Sequence, residues 1–97
     1  MVSLPKLIIF DWNKGNLDKS YLKHGITQRQ AEEAYLDEKL ILIEDIKHSQ
    51  KEKRHIVIGK DNERKILFTV FTKRGRKIRI ISARVANKKE RRTYEKI

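Results

Sequence analysis

Apolar and polar residues along this chain fall into blocks that switch between the strand and the helix period. Leu7 to Trp12 begins with consecutive apolar residues, then an aromatic and Asp11, the pattern of a strand buried on both faces. Asn13 is placed to cap a helix over Lys14–Lys23, with Leu17 and Tyr21 four apart on one face. Lys23-His24-Gly25 then supplies the cations and glycine of a helix exit. Thr27 and Gln30 have capping-box spacing and open a second helix that ends near Leu36 or Asp37, with Ala31, Ala34 and Tyr35 as its narrow apolar stripe. Strands are predicted over Leu40–Glu44, Arg54–Gly59, Ile66–Thr72 and Lys77–Arg84. They are separated by a polar loop over Asp45–Lys53, a turn at Asp61-Asn62 and another at Lys73-Arg74-Gly75-Arg76. Short connections make an antiparallel meander the simplest arrangement of the last three. Asn87 and Glu90 repeat the capping-box spacing before a C-terminal basic helix that reaches Tyr94. The pattern is that of one α+β domain over residues 1–97: an N-terminal strand and two helices packed on a mostly antiparallel sheet, then the basic helix.

Composition narrows the partner. Hydrophobic and charged residues each make up 38% of the 97, polar for a globular domain but too rich in aliphatic and aromatic residues for disorder. The formal net charge of +11 favours a polyanion, nucleic acid first, although an acidic protein or an anionic membrane surface also fits. Residues 71–97 hold 11 Lys and Arg against Glu90 and Glu95, whereas residues 1–46 hold six basic and eight acidic residues, so the positive field belongs to the second half. No apolar run approaches the ~20 residues that span a bilayer. The N-terminal apolar stretch runs into Asp11-Trp12 too early for a signal peptide, and a cytoplasmic location is expected. The absence of cysteine excludes disulfides, thiolate zinc sites and a cysteine nucleophile. His24, His48 and His55 show no ligand spacing such as i, i+4, so neither a metal nor a cofactor is expected; no Gly-rich phosphate loop or nucleophile elbow is present.

The candidate chemistry sits among the arginines. On a regular strand Ile78, Ile80 and Ser82 share one face, and Arg79, Ile81 and Ala83 the other. A guanidinium among aliphatic neighbours needs an anion, so Arg79 is either a salt bridge, with Glu44 as partner, or a phosphate ligand. Arg84 has the opposite parity and reaches the same site only if the strand bends or bulges near Ser82-Ala83. Arg54, opening its own strand, is the third cation for a phosphodiester whose charge grows in the transition state. His24 has the pKa class for proton transfer, against a plain role in a helix exit. Lys88-Lys89-Glu90-Arg91-Arg92 reads as a solvated or docking face, with Lys88 and Arg91 available to steer RNA.

Several blocks together carry a resemblance. Phe10-Asp11-Trp12, Lys23-His24-Gly25-Ile26-Thr27, Asp45 to Gln50 with His48-Ser49, Arg54, Arg79-Ile80-Ile81-Ser82-Ala83-Arg84 and Glu90-Arg91-Arg92 with Tyr94 resemble the BrnT family, small toxins of bacterial type II toxin-antitoxin systems. The resemblance runs from about Leu7 to Glu95. It implies a RelE-like fold and a ribonuclease that arrests translation. It also implies a BrnA-like antitoxin, commonly in a heterotetramer that touches operator DNA only through the antitoxin. Carried onto this chain it points to Lys23, His24, Arg54, Arg79 and Arg84, and further to Thr72, Arg74, Ser82 and Tyr94. Ser20-Tyr21 and His55 depart from the usual pattern, which has an aromatic at the last position. The mechanism expected is metal-independent RNA cleavage through the substrate's 2′-hydroxyl, with the arginines on the phosphate and His24 or Lys23 moving protons. The rival is a non-catalytic RNA-binding module, or a degenerate toxin acting as an antitoxin-bound co-regulator.

Overall fold

A computed structural model of the chain describes Leu4, residues 7–13, Asn16, and residues 23–48 and 51–96. Four antiparallel strands, β2 (Ile41–Glu44), β3 (Arg54–Lys60), β4 (Ile66–Arg74) and β5 (Lys77–Val85), are joined by a two-residue strand, β1 (Ile9–Phe10). Their order across the sheet is β1-β5-β4-β3-β2. Helix α1 (Gln28–Ala34) lies against β3 and β4, and helix α2 (Lys88–Glu95) packs on β3. The fold is thus α+β, built on a mostly antiparallel sheet.

Local chemistry sets these boundaries. The β4–β5 hairpin closes in two residues, Gly75-Arg76, with Gly75 at φ +63°, a backbone that favours glycine. At the β3–β4 turn the Asp61 carboxylate accepts from the Glu63 and Lys65 amides, at 2.9 and 2.8 Å. Both helices begin with reciprocal capping boxes, Thr27 with Gln30 and Asn87 with Glu90. α1 ends earlier than its pattern suggests. Asp37 has left the helix to accept hydrogen bonds from the Lys60 amide at 2.8 Å and the Tyr94 hydroxyl at 2.6 Å.

The core lies between α1 and one sheet face. Tyr35 is its centre, meeting Phe10 and Phe71 edge-on at 5.4 and 5.6 Å, while its hydroxyl shares a 2.7 Å hydrogen bond with Thr69. Val57, Leu67, Ile78, Ile80 and Ala83 complete that face. The opposite face carries Arg54, Ile56 and Ile58 on β3, Phe68, Val70 and Thr72 on β4, and Arg79, Ser82 and Arg84 on β5.

One expectation needs correction. The first strand is not buried on both faces: β1 is a short edge strand, parallel to β5, with Ile9 46% and Leu7 76% exposed. An edge strand has no neighbour to cover its outer side. Of the predicted Lys14–Lys23 helix, the structure describes Asn16, in a turn, and Lys23, which is helical together with His24; Gly25 follows at φ +72°. Leu17, Ser20 and Tyr21 lie outside the described residues, as do Ser49 and Gln50.

A Cβ at Gly59 would overlap the Ala34 carbonyl oxygen, because α1 approaches β3 there with nothing but backbone between them. Gly59→Ala is therefore expected to cost about 1–3 kcal/mol as an overpacked contact. A denaturant titration would show it as a lower midpoint; an unchanged midpoint would mean that α1 can slide off β3 at no cost.

Candidate active site

The pairing register decides which charged side chains meet. Between β4 and β5, Val70 faces Ser82 and Phe71 faces Ile80, leaving Ile81 without a partner as a bulge. Parity flips across it. Ile78, Ile80 and Ala83 all stay in the core, and Arg79, Ser82 and Arg84 all fall on the opposite face. The bulge that a shared arginine face requires is present, one residue before the expected Ser82-Ala83.

Arg54 pairs with Thr72, and Thr72 with Arg79, so the three form one row across β3, β4 and β5. Strand spacing puts the two arginine backbones roughly 10 Å apart. Thr72 is buried and its hydroxyl donates to the Lys53 carbonyl at 2.8 Å, bracing the start of β3. Arg79 is 14% exposed and donates through Nη2 to Asn13 Oδ1 at 3.0 Å, with Asp11 Oδ2 3.8 Å from Nη1. That gap is too long for a hydrogen bond, and Nη1 is buried with no hydrogen-bond partner among the described residues. Glu44, expected to pair with Arg79, lies on β2, at the other edge of the sheet opposite His55; Asp11 takes its place because β1 runs beside β5. Asn16 locks this corner by donating to the Asp11 and Ile80 carbonyls, at 3.0 and 2.9 Å.

Arg84 lies roughly 15 Å along β5 from Arg79. Its guanidinium makes a two-pronged pair with Glu90, at 2.7 and 2.8 Å, and stacks on Phe68 at 4.2 Å. The hydrogen bonds to Glu90 raise the Arg84 pKa above its usual value, and those to Arg84 hold the Glu90 carboxyl below its own. This pair joins β5 to the first turn of α2. Tyr94 fixes the other end of that helix: it is buried and bonded to Asp37, and burial, then that hydrogen bond, push its pKa up to about 12. Lys88 and Arg91 are exposed on α2, and Arg74, at the hairpin, pairs with Glu52 at 3.3 Å.

Lys23 and His24 are exposed but not at this row. Gly25, next in the chain, shares a cleft with Asn62, Glu63 and Lys65 at the β3–β4 turn. Arg54 stands at the far end of β3, roughly 20 Å away. The structure therefore brings Arg54, Thr72 and Arg79 together, sets Ser82 and Arg84 further along the same face, and keeps Lys23 and His24 apart from the row. Among the described residues no group of three or more His, Asp or Glu gathers that could hold a metal. Asp11 and Asn13, the residues that orient Arg79, escaped the sequence reasoning. Their signals were Asp11 within the Phe10-Asp11-Trp12 block and Asn13 as a cap, neither of which pointed to Arg79.

A basic α+β domain whose guanidiniums line up on a sheet face is suited to a polyanionic backbone. The sequence model of the BrnT family, described as the ribonuclease toxin of type II toxin-antitoxin systems, matches residues 12–90, and the chain belongs to that family. No curated protein matches it. Membership brings a ribonuclease activity, an RNA target and an antitoxin partner. Among the described residues no helix is long and apolar enough to cross a membrane.

His55 offers a test of the frame behind the row. It is buried, stacked on Phe71 at 5.1 Å, and its Nδ1 has no partner among the described residues. Burial lowers its pKa, and Lys73 and Lys53 add to this against the opposing pull of Glu44. The unfolded chain, with an ordinary histidine near 6.5, then binds more protons below that pH than the folded chain does. Stability should be complete above about pH 6.5 and fall as the pH drops below it. Denaturation midpoints at pH 7.5 and 5.5 should differ less in His55→Phe than in the parent; equal differences would clear His55 of this role.

Proposed function

We propose that this chain is an endoribonuclease that works without a metal, on a RelE-like scaffold. The substrate's 2′-oxygen attacks the adjacent phosphorus and the P–O5′ bond breaks, giving a 2′,3′-cyclic phosphate and a 5′-hydroxyl. The observation that carries the reading is the cross-strand row of Arg54, Thr72 and Arg79 in a chain of a ribonuclease toxin family. Arg79, oriented by Asp11 and Asn13, and Arg54 stabilise the phosphate as its charge grows. Lys23 and His24 are too distant to serve the same phosphate. The 2′-hydroxyl proton therefore passes to a non-bridging oxygen of that phosphate and from there to the leaving 5′-oxygen. Arg74, Ser82, Lys88 and Arg91 contact flanking RNA, while Arg84 and Tyr94 position α2.

The same reading includes a BrnA-like antitoxin that neutralises the toxin in the cytoplasm, in a heterotetramer that reaches operator DNA through the antitoxin. One observation favours a binding-only alternative: the proton-transfer candidates Lys23 and His24 stand away from the arginine row. The two readings separate when purified protein is incubated with RNA in chelator. Cleavage with cyclic-phosphate ends is expected, and RNA retention without products would sink the enzyme reading. Arg79→Ala should lower the cleavage rate about 10²-fold or more with the circular dichroism unchanged, whereas His24→Gln should keep its activity. The reverse pattern would move the reacting phosphate to the β3–β4 end of the sheet.

A further inference from the structure

Beside the hairpin lies a groove of about 430 Å³ walled by Leu4, Leu7, Ile9 and Ile78 and edged by Lys73 and Arg76. Its apolar wall includes two exposed aliphatic side chains, Leu7 at 76% and Ile9 at 46%. Large aliphatic groups left in water side by side mark a surface that gains from being covered. Among the described residues no aromatic ring lines the groove, so none of them offers the stacking platform on which nucleic-acid bases bind. Phosphodiesters gain from the two cations but nothing from the aliphatic wall. A second copy of the chain would bring its own net charge of +11 against that rim.

We propose that the groove receives an acidic segment of the antitoxin, seating an aliphatic side chain against Leu7 and Ile9 and carboxylates against Lys73 and Arg76. The inference rests on the antitoxin of the preceding reading, and it adds where that partner binds and by what chemistry. Its position bears on neutralisation through the segment that holds Arg79. Lys73 pairs with Ile78 in the row next to Thr72 and Arg79, whose side chains leave by the other sheet face, so an occupant flanks the arginine row at its hairpin end. Ile9 is also two residues from Asp11, which faces Arg79. The occupant therefore rests on the strand that leads directly into Asp11 and Asn13, which orient the candidate phosphate ligand.

Calorimetric titration of the purified antitoxin encoded with this toxin tests the site. Leu7→Ser and Arg76→Glu should each weaken binding about tenfold or more. Ile46→Ser, which removes an 80% exposed aliphatic beyond the opposite edge strand, should leave it unchanged. Leu7 is so exposed that its loss leaves the fold intact, and free Leu7→Ser protein should cleave RNA as the parent does while escaping the antitoxin. Parent-like affinity in both groove variants would overturn the proposal. So would a free toxin that sediments as a dimer and becomes monomeric on Leu7→Ser, which would give the groove to a second copy. Binding is read independently of cleavage: if the groove variants lose the antitoxin but the parent cuts no RNA, the docking site stands and the enzyme reading falls.

Discussion

The bulge at Ile81 is the constraint on which the arginine face depends. Ile78, Ile80 and Ala83 all belong to the core, and a regular alternation cannot bury 80 and 83 together. Without the extra residue, burying Ala83 would expose Ile80, or keeping Ile80 would send Arg84 elsewhere and Ala83 into water. A bulge sacrifices ladder pairing at one residue and satisfies both. Hydrophobic burial on one face therefore dictates the charge pattern on the other. Arg79 and Arg84 share a face because the aliphatic residues between them needed the core.

Sharing a face has not given the two guanidiniums one job. Arg84 spends both prongs on Glu90 and its flat side on Phe68, so little donor capacity remains for an anion. Among the described residues Arg79 is hydrogen-bonded at a single nitrogen, with a carboxylate near enough to orient it and too far to saturate it. A cation fixed in place has already lost the rotamer freedom that binding would otherwise cost. That difference in partners, rather than the difference in exposure, separates a scaffold arginine from a candidate phosphate ligand.

Much of the fold was legible because it is local. Thr27 with Gln30, Asn87 with Glu90, and the glycine of the hairpin each act within a few residues, and the structure shows them as the pattern implies. The candidate site was legible as residue types and only partly as geometry. Parity arithmetic set the condition, a bend or bulge, under which Arg79 and Arg84 share a face, because a straight strand of period two separates them. It could not choose Asp11 over Glu44, since that choice depends on a two-residue parallel pairing between distant parts of the chain. Nor could it separate His24 from the arginines: nothing local says that Gly25 settles by the β3–β4 turn.

The hairpin end has consequences for how the proposed partners compete. RNA held there by arginine and lysine gains chiefly from counterion release, so its affinity falls steeply as salt rises. An acidic segment in the neighbouring groove loses its contacts to Lys73 and Arg76 under the same screening, but the burial of Leu7 and Ile9 does not weaken. Raised ionic strength therefore tilts the contest toward the protein partner. The two exposed leucine and isoleucine side chains give that partner a grip that RNA, for all its charge, cannot use.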